Sequence, residues 1–151
     1  MNPWQHLEKV RQKSSRLWLG LMSGTSLDGL DIALVEVAGS GSSTKISLEA
    51  FASPPYSAEW QHCLQHCTNP IEVSAIELGQ LHVGLGFHWA DIVLQQLHEW
   101  HIDPRSIDAV ASHGQTVLHL PPESTLRANL PKTFPNHFSA TWQLGDADQL
   151  A

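Results

Sequence analysis

Leu17-Trp18-Leu19-Gly20-Leu21-Met22-Ser23-Gly24-Thr25-Ser26-Leu27-Asp28-Gly29-Leu30-Asp31-Ile32-Ala33-Leu34-Val35-Glu36-Val37 is the stretch on which the fold of this 151-residue chain turns. Residues 17–22 and 30–37 are short apolar runs of strand length, and the second is apolar enough for a central strand. Between them a loop gathers two glycines, three hydroxyls and a carboxylate. Two readings of that loop are open. Glycines let backbone N–H groups approach an anion, hydroxyls donate to phosphate oxygens, and Asp28 or Asp31 can hold a hydrated Mg²⁺. Alternatively, Asp28-Gly29 between two apolar runs is a hairpin signal and nothing more. Neither a G-x-x-x-x-G-K-[ST] loop nor a G-x-G-x-x-G turn opening a helix is present.

Working outward, residues 1–15 carry no apolar pattern and are expected to be a flexible tail. Residues 39–43 are a glycine–serine turn, and residues 45–51 form a third strand with alternation at Ile46, Leu48 and Ala50. Ser57 can cap a short helix ending near Cys67. Ser74 with Glu77 forms a capping box for a longer helix, whose stripe of Leu78, Leu81, Leu85, Trp89 and Ile92 faces a core. Gly79, Gly84 and Gly86 weaken that helix, so a closely packed neighbouring backbone is expected there. A fourth strand at 107–111 runs into Ser112-His113-Gly114-Gln115-Thr116 and on through residue 120. After a proline-rich stretch, residues 140–144 form a last strand ending at Gly145-Asp146. Asp146, followed three residues later by Gln149, reads as the start of a helix that Leu150 and Ala151 leave unfinished, so the chain is expected to stop inside a domain. Three strands, then helices, then further strands indicate an α/β mixed sheet with packed helices.

Composition narrows the function. Eight Lys and Arg against fifteen Asp and Glu give a formal charge of −7, which disfavours nucleic acid and anionic membrane as partners. A phosphate site would have to rest on backbone N–H groups or a metal. Cys63 and Cys67, four apart on a helix, are poorly placed for a disulfide, and two free thiols suit the cytoplasm. No leader-like or membrane-length apolar run occurs. His62, Cys63, His66 and Cys67 could in principle bind zinc, but the plainer reading has the cysteines facing the core and the histidines facing water. Among the six tryptophans, Trp60, Trp89 and Trp100 sit at core-facing helical positions, so packing outweighs carbohydrate stacking.

Residues 20–31 resemble the N-terminal signature of the anhydro-N-acetylmuramic acid kinases, within the sugar kinase, heat-shock protein and actin superfamily. Residues 112–117 and Gln143-Leu144-Gly145-Asp146 follow in that family's order and spacing. The resemblance implies a ribonuclease-H-like first lobe of a two-lobed kinase, with residues 16–151 an incomplete N-terminal lobe of actin-like ATPase fold. It implies an ATP-dependent enzyme that opens the 1,6-anhydro ring of an amino sugar with water while phosphorylating O6, a step in peptidoglycan recycling. ATP and Mg²⁺ would be the cofactors, and a homodimer is possible. Gly24, Thr25, Ser26, Leu27, Asp28, Gly29, Leu30 and Asp31 would bind nucleotide, with Asp28 nearest the metal. The catalytic Asp and the second lobe would lie beyond Ala151, so this portion alone is expected to be inactive. His113, Gly114, Gln115 and Thr116, at a strand end where α/β proteins place ligands, are candidates for the sugar; a strand bulge at Gly114 is the alternative. Asp146 is either a helix cap or a ligand contact. A non-catalytic binding module of the same fold remains the rival to the enzyme.

Overall fold

The computed structural model describes residues 2–69, 71–124 and 139–150. Its centre is a five-stranded mixed sheet in the order β3-β2-β1-β4-β5. The strands are β1 (Ser15–Ser23), β2 (Asp31–Ala38), β3 (Lys45–Ala52), β4 (Ala109–Leu120) and β5 (Ala140–Leu144). β1, β2 and β3 form consecutive antiparallel pairs, as the three initial apolar runs predict. β4 then joins β1 in parallel, which demands a long crossover. Two helices fill it, α2 (Ala58–Cys67) and α3 (Ala75–Glu99).

Both helices pack on one face of the sheet. Leu19, Leu21, Ile32 and Leu34 point from β1 and β2 toward Leu64 of α2 and Leu81, Leu85 and Trp89 of α3. Leu30, Ile32, Leu64, Leu85 and Trp89 have no exposed surface, and each such side chain contributes about 1.5–3 kcal/mol of burial. The α3 stripe runs as read through Trp89 and then continues through Val93 and Leu97, while Leu78 and Ile92 are half-buried. Steps of four residues overshoot a 3.6-residue turn slightly, so the seam drifts around the helix. Trp60 stacks on His88 at 4.2 Å, locking α2 to α3.

The helix starts are as the sequence indicates. Ser57 accepts from the Trp60 amide. Ser74 and Glu77 form the expected capping box, and Ser74 donates to the Glu77 carboxyl, holding it down to about 2. Two details differ from expectation. A helix, α1 (Pro3–Gln12), occupies most of the stretch read as a tail. Its start is written in Asn2, Pro3 and Gln5, a cap, a first-turn proline and a box partner without an apolar run to mark them. Ile46 and Leu48 lie largely in solvent, 69% and 63% exposed. A register shift beside Val35 pairs them with Val37 and Val35 on the sheet face that the helices leave open.

Cys67 is buried and Cys63 exposed, both as free thiols, so one cysteine faces the core and not both. Burial pushes the Cys67 thiol up to about 11. Among the described residues no group of three or more His, Cys, Asp or Glu side chains could hold a metal ion. None of their helices is long and apolar enough to cross a membrane.

The helix glycines separate cleanly. A Cβ on Gly86 would lie 2.6 Å from the Asp146 carbonyl oxygen, the close backbone contact the sequence suggests. One on Gly84 would meet only a Trp60 ring atom at 3.8 Å, and one on Gly79 nothing within 4 Å. The same substitution should therefore have opposite signs along one helix. Gly79→Ala should raise the unfolding free energy by about 0.5–1 kcal/mol. Gly86→Ala should lower it by about 1–3 kcal/mol, both read by urea denaturation.

Candidate functional site

The parallel pairing of β1 with β4 sets the C-terminal end of β1 beside the middle of β4, with Leu21 opposite Ser112 and Ser23 opposite Gln115. The loop of residues 24–30 leaves β1 at this edge. β4 bends there at Gly114, whose φ of +77° suits only glycine, and a Cβ would stand 2.8 Å from the Leu144 carbonyl oxygen. β4 is thus one bent strand, not two. Its second half pairs with β5, Leu144 opposite Gln115, so Gly145 and Asp146 emerge at the same edge. Gly145, at φ +129°, packs against the Trp89 ring; a Cβ would come within 2.3 Å of it. His82 of α3 fixes this end, its Nδ1 accepting from the Gly145 amide at 3.0 Å and its carbonyl from the Asp146 amide at 3.0 Å. Asp146 caps the single 3₁₀ turn Ala147–Gln149. All three stretches that the sequence singled out therefore meet at one edge of the sheet.

Residues 24–30 form a loop longer than a two-residue hairpin turn. Leu27 takes a left-handed φ of +57° and turns its side chain into the core at 8% exposure. That inversion leaves Thr25, Ser26 and Asp28 exposed. The Asp28 carboxyl accepts from the Ser26 hydroxyl at 2.6 Å, which holds it below the usual carboxylate range. Gly29 serves a contact within the fold: a Cβ would lie 2.5 Å from the Pro54 carbonyl oxygen. The Leu30 amide donates to Pro54 and the Tyr56 amide to Asp28, fastening the loop to the segment ahead of α2. Asp31, half-buried, accepts from the Ser53 hydroxyl at 2.6 Å. A Cβ on Gly24 would make an ordinary contact with Ser26 Oγ at 3.5 Å and meet nothing closer. An ionised, exposed carboxylate beside exposed hydroxyls is an oxygen-donor set suited to Mg²⁺ and a polyphosphate.

The second stretch divides. His113 is exposed and Thr116 half-buried. Gly114 is buried and contributes the bend. Gln115 departs from expectation as a sugar contact: it has no exposed surface. Its Oε1 accepts from Ser23 at 2.5 Å and its Nε2 donates to the Gly24 and Thr116 carbonyls, both at 3.1 Å. A side chain so engaged presents nothing to a ligand, and its register position opposite Ser23 explains why. Sequence reasoning missed Tyr56, Trp89 and His82 as parts of this edge. Tyr56 carried one faint signal, as the sole tyrosine, standing directly before a helix cap. Burial raises its hydroxyl above the ordinary tyrosine value.

A hollow of about 610 Å³ lies between the C-terminal half of α3 and the first half of β4. Val93, Leu97, Ile107, Val110 and Leu150 make most of it apolar, while His113 and Gln143 add polar groups.

The family model for anhydro-N-acetylmuramic acid kinase matches residues 16–151. The chain belongs to the anhydro-N-acetylmuramic acid kinase family. It is 37% identical over 149 residues to the anhydro-N-acetylmuramic acid kinase of Pseudoalteromonas translucida, covering 97% of this chain and 35% of that protein. The enzyme of Pseudoalteromonas atlantica is 39% identical over 150 residues, covering 97% and 36%. That of Caldanaerobacter subterraneus is 37% identical over 115 residues, covering 76% and 29%. The chain thus spans about a third of the length of the anhydro-N-acetylmuramic acid kinases it matches.

The bend of β4 holds the motifs together, so Gly114→Ala should lower the unfolding free energy by about 1–3 kcal/mol through left-handed strain and the Leu144 contact. Urea denaturation followed by tryptophan fluorescence checks it.

Proposed function

We propose that this chain forms the nucleotide-holding wall of an ATP-dependent kinase. The reaction would open the ring of 1,6-anhydro-N-acetylmuramic acid with water and phosphorylate O6. The observation that carries this reading is the meeting of residues 24–31, 112–116 and 143–146 where the C-terminal end of β1 lies against the bend of β4, the end of a parallel strand being where α/β sheets bind ligands. Membership of the kinase family supports it.

In this reading Thr25 and Ser26 face the nucleotide phosphates, and the Asp28 carboxylate supplies an oxygen to Mg²⁺ or its waters. Bound Mg-ATP provides the transferable phosphoryl group and neutralises the charge developing on it. Leu27 and Gly29 shape the loop without touching ligand. His113 is the side chain of residues 113–116 left to meet the sugar, with Thr116 beside it. The base that activates water is assigned to a part of the kinase outside this chain. Phosphoryl transfer rests on positioning between two walls, so the 151 residues alone should not turn over. Free thiols and the sugar substrate suit a cytoplasmic setting.

The test is ADP release by the longest protein that this reading frame encodes. It would be supplied with Mg-ATP and either the 1,6-anhydro sugar, plain N-acetylmuramic acid or no sugar. Release dependent on the anhydro sugar is the expected result. Its absence from a folded protein would favour a non-catalytic nucleotide- or sugar-binding module. In the same protein, Asp28→Asn should raise the ATP KM by roughly tenfold or more, the scale of one charge-assisted contact, with the melting temperature little changed. Gly24→Val, where an added Cβ meets no atom closer than 3.5 Å, should likewise weaken nucleotide and spare stability. Wild-type ATP kinetics in both variants would reduce the loop to a turn.

A further inference from the structure

Trp89, Tyr56, Ser23 and Gln115 come from α3, the segment before α2, β1 and β4, and they form one unbroken hydrogen-bond chain. Trp89 Nε1 donates to the Tyr56 hydroxyl at 2.8 Å, and the Tyr56 and Ser23 hydroxyls are 2.7 Å apart. Ser23 donates to Gln115 Oε1 at 2.5 Å, and Gln115 Nε2 reaches the Gly24 carbonyl at 3.1 Å. All four side chains are nearly or wholly buried, with Tyr56 the most exposed at 4%.

The direction of every proton in this chain is fixed. An indole N–H only donates and an amide oxygen only accepts. Tyr56 must therefore donate to Ser23, and Ser23 to Gln115. Most hydroxyl networks can reverse; this one has no second arrangement. It also ends at a particular place, the carbonyl of the first loop residue, which takes a second donor from the Leu27 amide at 3.4 Å. The peptide unit is planar and trans, so the Gly24 carbonyl and the Thr25 N–H point in opposite directions. Drawing that carbonyl inward onto Gln115 turns the Thr25 N–H outward, away from the core.

We propose that these four residues are a positioning device for the anion-binding face of the loop, aiming the Thr25 N–H at a nucleotide phosphate. The proposal rests on the reading that residues 24–31 hold nucleotide, and none of the four touches ligand. Gln115→Leu removes the anchor at nearly constant volume; Tyr56→Phe removes a single oxygen and leaves the Ser23–Gln115 bond in place.

Both variants and their double would be made in the longest protein the reading frame encodes. ATP and sugar KM, melting temperature and Mg-ATP affinity by calorimetric titration would be measured for each. Gln115→Leu should weaken ATP about five- to tenfold, the size of one hydrogen bond's net contribution, with the sugar KM within twofold of wild type. Tyr56→Phe should weaken ATP less, and the double variant should fall within twofold of Gln115→Leu, because both act through one carbonyl. Unchanged ATP affinity in folded variants, equal losses for ATP and sugar, or independent multiplying losses would overturn the proposal. If Gln115→Leu fails to fold, Tyr56→Phe decides alone. A wild type that binds Mg-ATP without sugar-dependent turnover separates the two readings: the kinase assignment falls, and the titrations still judge the device. A wild type that binds no Mg-ATP removes both.

Discussion

The parallel pairing of β1 with β4 is the constraint from which the rest of this edge follows. It joins strands far apart in the chain, with Ser23 set opposite Gln115, 92 residues on. Closing so long a loop costs chain entropy that grows only slowly with length, and the buried faces of α2 and α3 offset it. Once the pairing is made, geometry leaves few options. The loop after β1 and the bend of β4 must share an edge, and the return of β5 along the bent strand brings Gly145 there too. Three contacts then need the absence of a side chain, at Gly86 against Asp146, Gly114 against Leu144 and Gly145 against Trp89. These glycines are places where one backbone passes close to another segment, and they cluster on the side of α3 that faces the site.

Much of this architecture is legible in the sequence, and the unreadable parts have identifiable causes. Strand lengths, both capped helix starts and the site loop come from local signals: apolar runs, Ser57, the Ser74–Glu77 pair and the small residues at 23–29. α1 was hidden because its information lies wholly in end signals, with no buried stripe behind them. The exposure of Ile46 and Leu48 was hidden because alternation tells which residues share a face, and a register shift in the partner strand tells which face it is. Gly86 could be suspected from its helical cost but not separated from Gly79, since the cost is the same and only the neighbours differ. Gln115 is the instructive case. A polar residue beside a bend reads as a ligand contact, and only the cross-strand register reveals that its amide is consumed by Ser23 and Gly24.

The charge balance fits this economy. A chain with a formal charge of −7 has no positive field to draw in a polyphosphate. If the loop holds a nucleotide as proposed, attraction would come from short-range elements, a few outward N–H groups, exposed hydroxyls and a carboxylate-bound cation, and such elements are useful only when held still. Leu27 buried in the core, Gly29 against Pro54 and the Gly24 carbonyl tied to Gln115 each restrain the loop from beneath. Dipoles can substitute for charge only where their direction is fixed in advance.

The bend in β4 has a material consequence as well. Because β5 pairs only with the second half of that strand, residues 109–112 keep one row of amides and carbonyls without a strand beside it among the described residues. The apolar hollow opens next to that row, and at the opposite margin β3, which carries Ile46 and Leu48, likewise has no further strand beside it among the described residues. Two open edges, each flanked by grease, are what lateral strand addition between molecules requires. In colloidal terms the repulsion between chains of like charge opposes that addition, so salt, by screening it, favours the clumped state over the dispersed one.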